Sequence, residues 1–250
     1  MSAAPPPIDT SHFDAVLFDL DGVLTDTARV HAASWKTMFD AFLKQRAEAS
    51  GEPFRPFEVD PDYGVYVDGK PRYDGVRDFL KSRGIELPEG DSSDPPERET
   101  VCGLGNRKNE LVGKAIETVG VDAYPGSVKL VRHVIDLGIR TAVVSASANC
   151  AAVLETARIS DLFEVRVDGV VLEERKLAGK PAPDSFLEAA RKLGVEPARA
   201  VVIEDAIAGV QAGRAGSFGL VVGVSRKQDE AALAENGADV VIHDLAELIS

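Results

Sequence analysis

The sequence lacks several features that mark specialised classes of protein. It has only two cysteines in 250 residues, Cys102 and Cys150, so we expect no disulfide framework and predict reduced thiols in the cytoplasm. No apolar run approaches the length needed to cross a bilayer. Residues 1–7 show no basic stretch followed by an apolar one, so we predict a loose tail rather than a signal peptide. These absences predict a globular protein without a membrane partner.

Positive charge is also scarce. The chain has 28 Lys and Arg residues against 41 Asp and Glu residues, for a formal net charge of −13. Because binding to a nucleic-acid backbone relies on clustered basic side chains, we do not expect a nucleic-acid partner. A phosphorylated ligand would be repelled at long range, so its site must be built locally from a metal, backbone N–H groups and a few basic residues.

Apolar strand patterns and helix patterns alternate in the second half of the chain. Near-continuous apolar strands of this kind are typical of a parallel sheet that is covered on both faces. A similar strand pattern near the N-terminus belongs to the same sheet. The predicted fold is therefore α/β, a doubly wound, Rossmann-like parallel sheet. Its expected strands cover 14–18, 140–144, 163–167, 200–203, 220–224 and 239–242.

Between the first two strands lies a long block with helical periodicity and no succession of strands. We predict helices over 28–49, 73–83 and 100–119, the last either broken at Gly103 or Gly105 or divided into two helices. The stretch 51–71 reads as irregular, with a short extended piece at 65–67, and 86–97 as a solvated loop. The predicted domains are an α/β core made of 1–27 and 123–250, and an inserted α-helical cap made of 28–122. We expect the cap to lie over the carboxyl edge of the sheet.

Two aspartates, Asp19 and Asp21, follow the first strand directly. A lone Asp after a strand is more often a helix cap, but that explanation leaves the pair unexplained. Side chains at i and i+2 share one side of an extended chain, and two such carboxylates repel each other unless a cation or a shared proton intervenes. A hard, oxygen-preferring ion such as Mg²⁺ fits this pair.

Other polar residues follow later strands, where the ligands of open α/β sheets are bound. The hydroxyl and N–H groups of 145–149 could cradle a phosphate, although Ser145 alone would serve equally well as a helix N-cap. Lys180 is either a solvated lysine or a point charge on a phosphate and on Asp19. Glu204 and Asp205 would add oxygen ligands for Mg²⁺, and capping of the next helix explains only one of them.

These motifs resemble, in order, the four motifs of the haloacid dehalogenase superfamily of phosphotransferases. The stretch Asp19-Leu20-Asp21-Gly22-Val23-Leu24-Thr25-Asp26-Thr27 is similar to the first of them. The resemblance implies the α/β core and cap of that superfamily. It also implies that Asp19 is a nucleophile that becomes an aspartyl phosphate, and that Asp21 is the general acid/base. The implied Mg²⁺ ligands are Asp19, the Asp21 carbonyl, Glu204 and Asp205.

Within the superfamily, the chain looks most like β-phosphoglucomutase and its sugar-phosphate relatives. Thr27, His31 and Trp35 resemble the hinge and first cap helix of that subfamily, which implies that they are substrate-binding residues. Arg72, in Gly69-Lys70-Pro71-Arg72, resembles the clamp on the distal phosphate, and Lys108 resembles a sugar-contacting lysine. The implied phosphate-binding residues of the core are Ser145, Ala146, Ser147, Asn149 and Lys180.

The resemblance implies Mg²⁺-dependent conversion of a hexose 1-phosphate into a hexose 6-phosphate through Asp19. The implied partners are a small phosphorylated sugar and a sugar bisphosphate activator, and we expect a monomer. Hydrolysis of a sugar phosphate by the same nucleophile is the alternative. A non-enzymatic phospho-acceptor would be about half this length and need no cap. Ala148 replaces the lysine of the subfamily pattern and the cap carries extra residues around 51–66 and 86–97, so the substrate stays open.

Overall fold

The computed structural model describes residues 8–226 and 228–249, so the predicted tail at 1–7 lies outside the described residues. The chain divides into two compact units, with the boundaries at Asp26/Thr27 and at Gly120/Val121. Residues 27–120, here called the inserted unit, form one of them. The residues on either side form the other, here called the core unit.

A parallel sheet organises the core unit. Its strands are β1 (Ala15–Phe18), β2 (Arg140–Val144), β3 (Val165–Val167), β4 (Ala200–Glu204), β5 (Leu220–Val224) and β6 (Val240–Ile242). Their order in the sheet is β3-β2-β1-β4-β5-β6, and every neighbouring pair runs parallel. All residues of β1 and β4 are buried, which explains why 15–18 and 200–203 read as continuous apolar runs. The predicted doubly wound fold is confirmed.

The inserted unit is built from helices, as the helical periodicity of its sequence predicts. Trp35 stacks on Phe39 with the ring centroids 5.3 Å apart, and Phe39 in turn contacts Phe79 at 4.2 Å. These rings are almost completely buried, and full burial of one such side chain stabilises a fold by about 1.5–3 kcal/mol. The helices are α1 (Ala28–Ser50), α2 (Arg72–Ser82) and α3 (Val101–Val119), with further helical turns over Val59–Val67.

Two expectations for the inserted unit are wrong. The helix α3 is continuous, because its glycines allow close packing rather than a break. A Cβ on Gly105 would lie 2.6 Å from the ring of Tyr73, and one on Gly103 would lie 2.2 Å from the Arg98 carbonyl oxygen. The extended piece predicted at 65–67 is instead the end of the helical turns, so the β-favouring side chains there do not decide the backbone conformation.

The remaining helices pack on the sheet of the core unit. Phe186 and Phe218 are buried and meet edge to face, with the ring centroids 6.0 Å apart. The six helices that the structure describes here are α4 (Pro125–Asp136), α5 (Cys150–Thr156), α6 (Gly169–Arg175), α7 (Asp184–Leu193), α8 (Ile207–Ala215) and α9 (Glu230–Glu235). Of these helices, α6 is not predicted by the sequence pattern. Across the described ranges, no helix combines the length and the apolar character that a membrane span requires.

Candidate active site

The carboxyl ends of β1 and β4 bring the predicted acidic residues together. Phe18 pairs with Ile203 in the sheet, and the backbone N–H of Asp19 donates to the Ile203 carbonyl at 2.9 Å. Asp19 therefore leaves β1 beside Glu204, the last residue of β4. Asp205 follows directly. Parallel pairing of these two strands thus juxtaposes side chains that lie 185 positions apart.

Lys180 lies between two of these carboxylates. Its Nζ is 2.6 Å from Asp19 Oδ1 and 2.5 Å from Glu204 Oε1, and it also donates to the Val144 carbonyl at 3.3 Å. Only 3% of Lys180 is exposed. It is therefore a buried, fully bonded cation, and the alternative of a solvated lysine is wrong.

Burial and charge shift the pKa values in this cluster. Burial lowers the pKa of Lys180, but Asp19 and Glu204 outweigh it and raise that pKa above its ordinary value, so Lys180 carries a positive charge. Burial, with repulsion from Glu204 and Asp21, raises the pKa of Asp19 well above its usual range, although Lys180 opposes the shift. One lysine offsets only part of the buried negative charge.

Three carboxylates could hold a metal ion. Within the described residues, ligand atoms of Asp19, Glu204 and Asp205 all lie within 4.8 Å of one another. The donors are all oxygen, and the negative charge exceeds what Lys180 offsets, so the set fits a hard cation such as Mg²⁺. Asp21 is not in this group of side chains. Its expected contribution is the backbone carbonyl, which stays a prediction.

Two glycines leave room for the acidic side chains. A Cβ on Gly209 would lie 1.9 Å from the carboxyl group of Glu204, and one on Gly22 would lie 1.9 Å from Asp205 Oδ2. Gly22 also has a φ of +89°, which side-chain-bearing residues rarely adopt. The turn after β1 therefore requires glycine for both its conformation and its closeness to Asp205.

Asp21 meets the loop that follows β2. Ser145 Oγ lies 3.4 Å from Asp21 Oδ2 and accepts a hydrogen bond from the Ser147 N–H at 3.1 Å. Ser147 Oγ in turn accepts from the Asn149 N–H at 3.1 Å, and Ala146 is half-buried between the two serines. The N-cap of α5 is Asn149, so Ser145 is not the helix cap that we considered.

Sequence reasoning missed one residue beside this site. Arg226 Nε donates to the Gly22 carbonyl at 2.8 Å, and the guanidinium lies 4.1 Å from the ring centroid of Tyr124. Arg226 thus fixes the turn that carries Asp21. The available signal was its position directly beyond β5, at the same edge of the sheet as Asp19.

The inserted unit brings three of its predicted residues together. Lys108 Nζ lies 2.9 Å from His31 Nδ1 and 4.9 Å from the ring centroid of Trp35, and all three residues are buried. An ammonium group can only donate, so Nδ1 is the acceptor and a neutral His31 carries its hydrogen on Nε2. Thr27, also buried, is the N-cap residue of α1, and its carbonyl accepts from the His31 N–H at 3.0 Å.

Arg72, the first residue of α2, belongs to another network of the inserted unit. Its Nη2 donates to the Tyr73 hydroxyl at 2.7 Å, and that hydroxyl donates to Asn106 Oδ1 at 2.8 Å. Neither Tyr73 nor Asn106 was predicted. They lie 33 positions apart and meet only because α2 packs on α3.

Comparison with known proteins shows the family to which the chain belongs. The family described as haloacid dehalogenase-like hydrolase matches residues 13–216. The chain belongs to that family. β-Phosphoglucomutase of Mycobacterium tuberculosis is 54% identical over 238 residues, which cover 94% of this chain and 91% of that protein. Hexitol phosphatase A of Escherichia coli is 30% identical over 232 residues, which cover 93% and 91%.

A solved structure agrees with the placement in the haloacid dehalogenase-like family. The crystal structure of β-phosphoglucomutase from Clostridium difficile superposes with a TM-score of 0.72 and 25% identity, covering 94% of this chain and 93% of that one. The predicted resemblance is confirmed, and this member of the family is an enzyme of the phosphotransferase or phosphatase kind. The roles of individual site residues stay predictions.

Proposed function

We propose that the enzyme is a phosphohexomutase, which converts a hexose 1-phosphate into a hexose 6-phosphate through an aspartyl phosphate at Asp19. The observation that carries the proposal is the 54% identity to a β-phosphoglucomutase over nearly the whole chain, which includes the inserted unit as well as the core. The buried cluster of Asp19, Lys180 and Glu204 supports it, because phosphoryl transfer depends on positioning and charge stabilisation.

Asp19 is the proposed nucleophile. In the first transfer, the C6 hydroxyl oxygen of the hexose 1-phosphate attacks phosphorus, the bond to Asp19 breaks, and a bisphosphate forms. In the second, Asp19 attacks the phosphorus at C1 and releases hexose 6-phosphate. A carboxylate is a known acceptor in covalent phosphoryl transfer. Lys180, 2.6 Å from Asp19 Oδ1, holds that carboxylate in place.

Asp21 is the proposed general acid/base. It takes the proton of the C6 hydroxyl in the first transfer and gives a proton to the C1 oxygen in the second. The turn fixed by Arg226 and the contact with Ser145 hold Asp21 at the carboxyl edge of β1. A positioned acid/base of this kind typically accelerates a reaction by about 10² to 10⁴-fold.

The loop after β2 is the proposed site for the transferring phosphate, through Ser145, Ala146, Ser147 and Asn149. Ser145 Oγ and Ser147 Oγ each accept a backbone hydrogen bond. The Ser147 hydroxyl hydrogen is thereby available to donate to a phosphate oxygen, whereas the Ser145 hydroxyl donates to Asp21 Oδ2. Ala148 supplies no charge here, so Lys180 is the cation of the core unit that we assign to the phosphate. Because its hydrogens are bonded to Asp19, Glu204 and the Val144 carbonyl, it acts on the phosphate as a point charge.

Asp19, Glu204, Asp205 and the Asp21 carbonyl are the proposed ligands of Mg²⁺. A bound Mg²⁺ would offset negative charge on the transferring phosphoryl group. One Glu204 oxygen accepts from Lys180 and the other from the Ala206 N–H at 2.9 Å. These bonds fix the orientation of the Glu204 carboxylate.

Residues of the inserted unit are the proposed contacts to the rest of the substrate. Arg72 binds the phosphate that is not being transferred, because a guanidinium can engage phosphate oxygens with two hydrogen bonds. Lys108 and His31 contact the sugar, and Thr27 and Trp35 hold them in place through the buried cluster described above.

Product analysis tests this proposal. The enzyme is incubated with β-glucose 1-phosphate, Mg²⁺ and catalytic glucose 1,6-bisphosphate, and glucose 6-phosphate and inorganic phosphate are measured. Accumulation of glucose 6-phosphate supports the mutase. Stoichiometric phosphate release without isomerisation would support the alternative, a sugar-phosphate phosphatase, which the 30% identity to a hexitol phosphatase favours.

The proposal extends to the setting of the enzyme. We propose a sugar bisphosphate as its activator, a monomeric state and a location in the cytoplasm. The last is supported by Cys102 and Cys150, which are free and buried. Burial raises the pKa of both thiols, so neither is suited to act as a nucleophile.

A further inference from the structure

The loop between α2 and α3 is bonded to α3 through its backbone, although the sequence analysis read 86–97 as a solvated loop. Asn106 Nδ2 donates to the carbonyls of Ser92 and Asp94, at 3.0 and 2.9 Å. Arg107 Nε donates to the Pro96 carbonyl at 2.8 Å. Most side chains of the loop are exposed, so the bonds to its carbonyls hold it in place.

Asp94 stabilises the same loop from inside. It is 5% exposed and accepts from the Thr100 hydroxyl at 2.7 Å and from Arg98 Nη1 at 2.6 Å. The Thr100 hydroxyl also accepts from the Gly103 N–H at 2.9 Å as the N-cap of α3. The loop is therefore tied to the first turn of α3, immediately before Asn106.

These bonds decide which way the Asn106 amide points. Its NH₂ group has two hydrogens, and both are used by the loop carbonyls. Oδ1 therefore faces the Tyr73 hydroxyl, which must donate to it. A hydroxyl has one hydrogen, so the same Tyr73 oxygen is an acceptor for Arg72 Nη2.

We propose that Asn106 and Tyr73 are positioning residues for Arg72, anchored by the loop carbonyls of Ser92 and Asp94. The contact of the Tyr73 ring with Gly105 keeps the hydroxyl in reach, and the Arg72 guanidinium lies 4.3 Å from the centroid of that ring. The hydrogen bonds from the loop carbonyls through Asn106 and Tyr73 to Arg72, here called the relay, hold the guanidinium in one orientation before an anion binds. The relay thus sets the affinity for the second phosphate of a sugar bisphosphate, so the inference rests on the proposed function of Arg72.

Binding of glucose 1,6-bisphosphate tests the relay without turnover. Calorimetry with Mg²⁺ is carried out on the Asp19→Asn enzyme, alone and combined with Tyr73→Phe, Arg72→Ala or both. Tyr73→Phe keeps the ring and removes the hydroxyl. Because one hydrogen bond contributes about 0.5–1.5 kcal/mol, we expect Kd to rise about fivefold when Arg72 is present. We expect no further rise in the Arg72→Ala background.

Asn106→Asp is a second variant, because it removes both N–H donors to the loop carbonyls. It should also raise Kd when Arg72 is present and have no effect in the Arg72→Ala background. Tyr66→Phe, which alters a half-buried tyrosine that packs on Phe79 in the same unit, is the matched control and should leave Kd unchanged.

The relay is overturned if Tyr73→Phe leaves Kd unchanged, if its effect persists without Arg72, or if no bisphosphate binds. Isomerisation of β-glucose 1-phosphate by the unsubstituted enzyme separately decides the proposed function.

Discussion

Lys180 Nζ lies 2.6 Å from Oδ1 of Asp19, and both side chains are buried. The same ammonium bonds Glu204 Oε1 at 2.5 Å, so one lysine serves two carboxylates that the sheet brings side by side. Loss of a cation from such a group leaves buried negative charge uncompensated. This relationship gives Lys180 a structural role, in addition to the role at the phosphate that we propose for it.

Lys180→Ala should lower the free energy of unfolding by about 3–5 kcal/mol, the usual cost of removing one partner from a buried ion pair. It should also abolish turnover, because Asp19 loses the cation that favours its ionised form. Denaturant unfolding and activity assays measure the two effects. Lys129→Ala, at an exposed position on α4, is the control and should change stability by less than about 0.5 kcal/mol. Unchanged stability of Lys180→Ala would contradict this account.

Asp19→Asn should abolish both turnover and incorporation of labelled phosphoryl groups into the protein. An amide is a poor nucleophile and a weaker ligand for Mg²⁺, while the size of the side chain is nearly unchanged. The measurement is mass spectrometry of the intact protein after incubation with acetyl phosphate. Asp161→Asn, at an exposed position, is the matched control. Turnover by Asp19→Asn at the unsubstituted rate would exclude the covalent mechanism.

Removal of the metal should inactivate the enzyme. EDTA should reduce the rate to background, and added Mg²⁺ should restore it. Asp205→Ala should raise the Mg²⁺ concentration for half-maximal activity sharply, because it removes one of three clustered carboxylates. Full activity in metal-free buffer would rule out the proposed site.

Tyr124 provides a test of the structure at alkaline pH. Burial, followed by repulsion from Asp26, raises the pKa of Tyr124 to about 12, from an ordinary value of 10.0. The folded state favours the neutral phenol, so its contribution to stability is complete below about pH 10 and is lost as the pH rises towards 12. The difference in absorbance titration between the unsubstituted enzyme and Tyr124→Phe should show a midpoint near pH 12. A midpoint near pH 10 would contradict the partial burial of Tyr124 and its closeness to Asp26.

The strands of the sheet and the residues at its carboxyl edge could be predicted because a few short stretches of sequence determine them. Apolar runs such as 15–18 and 200–203 are buried on both faces, so they stand out from the rest of the sequence. In a parallel sheet the residues after such runs share an edge, so the order of residues along the chain is enough to place Asp19 and Asp205 together. This inference needs no side-chain geometry.

Packing between helices could not be predicted in this way. Gly103 and Gly105 read as helix breakers, because the sequence does not show the Arg98 carbonyl or the Tyr73 ring that require their lack of a side chain. Tyr73 and Asn106 carry no motif and meet only through tertiary contact. The helix α6 begins with Gly169, Val170 and Val171, residues of low helix propensity, so its sequence does not indicate a helix.

Arg72→Ala should separate the mutase from the phosphatase. A mutase handles a bisphosphate and uses the energy of binding the second phosphate to orient the sugar, whereas hydrolysis of acetyl phosphate has no second phosphate to bind. Loss of a charge-assisted contact should therefore lower kcat/KM for isomerisation by an amount equivalent to about 2–4 kcal/mol, and lower that for acetyl phosphate much less. The measurement is kcat/KM for both reactions on the unsubstituted enzyme, on Arg72→Ala and on the control Lys129→Ala. Equal losses of kcat/KM in the two reactions would contradict the proposed role of Arg72 in binding the second phosphate. No isomerisation of any hexose 1-phosphate by the unsubstituted enzyme, with rapid release of phosphate, would identify it as a phosphatase.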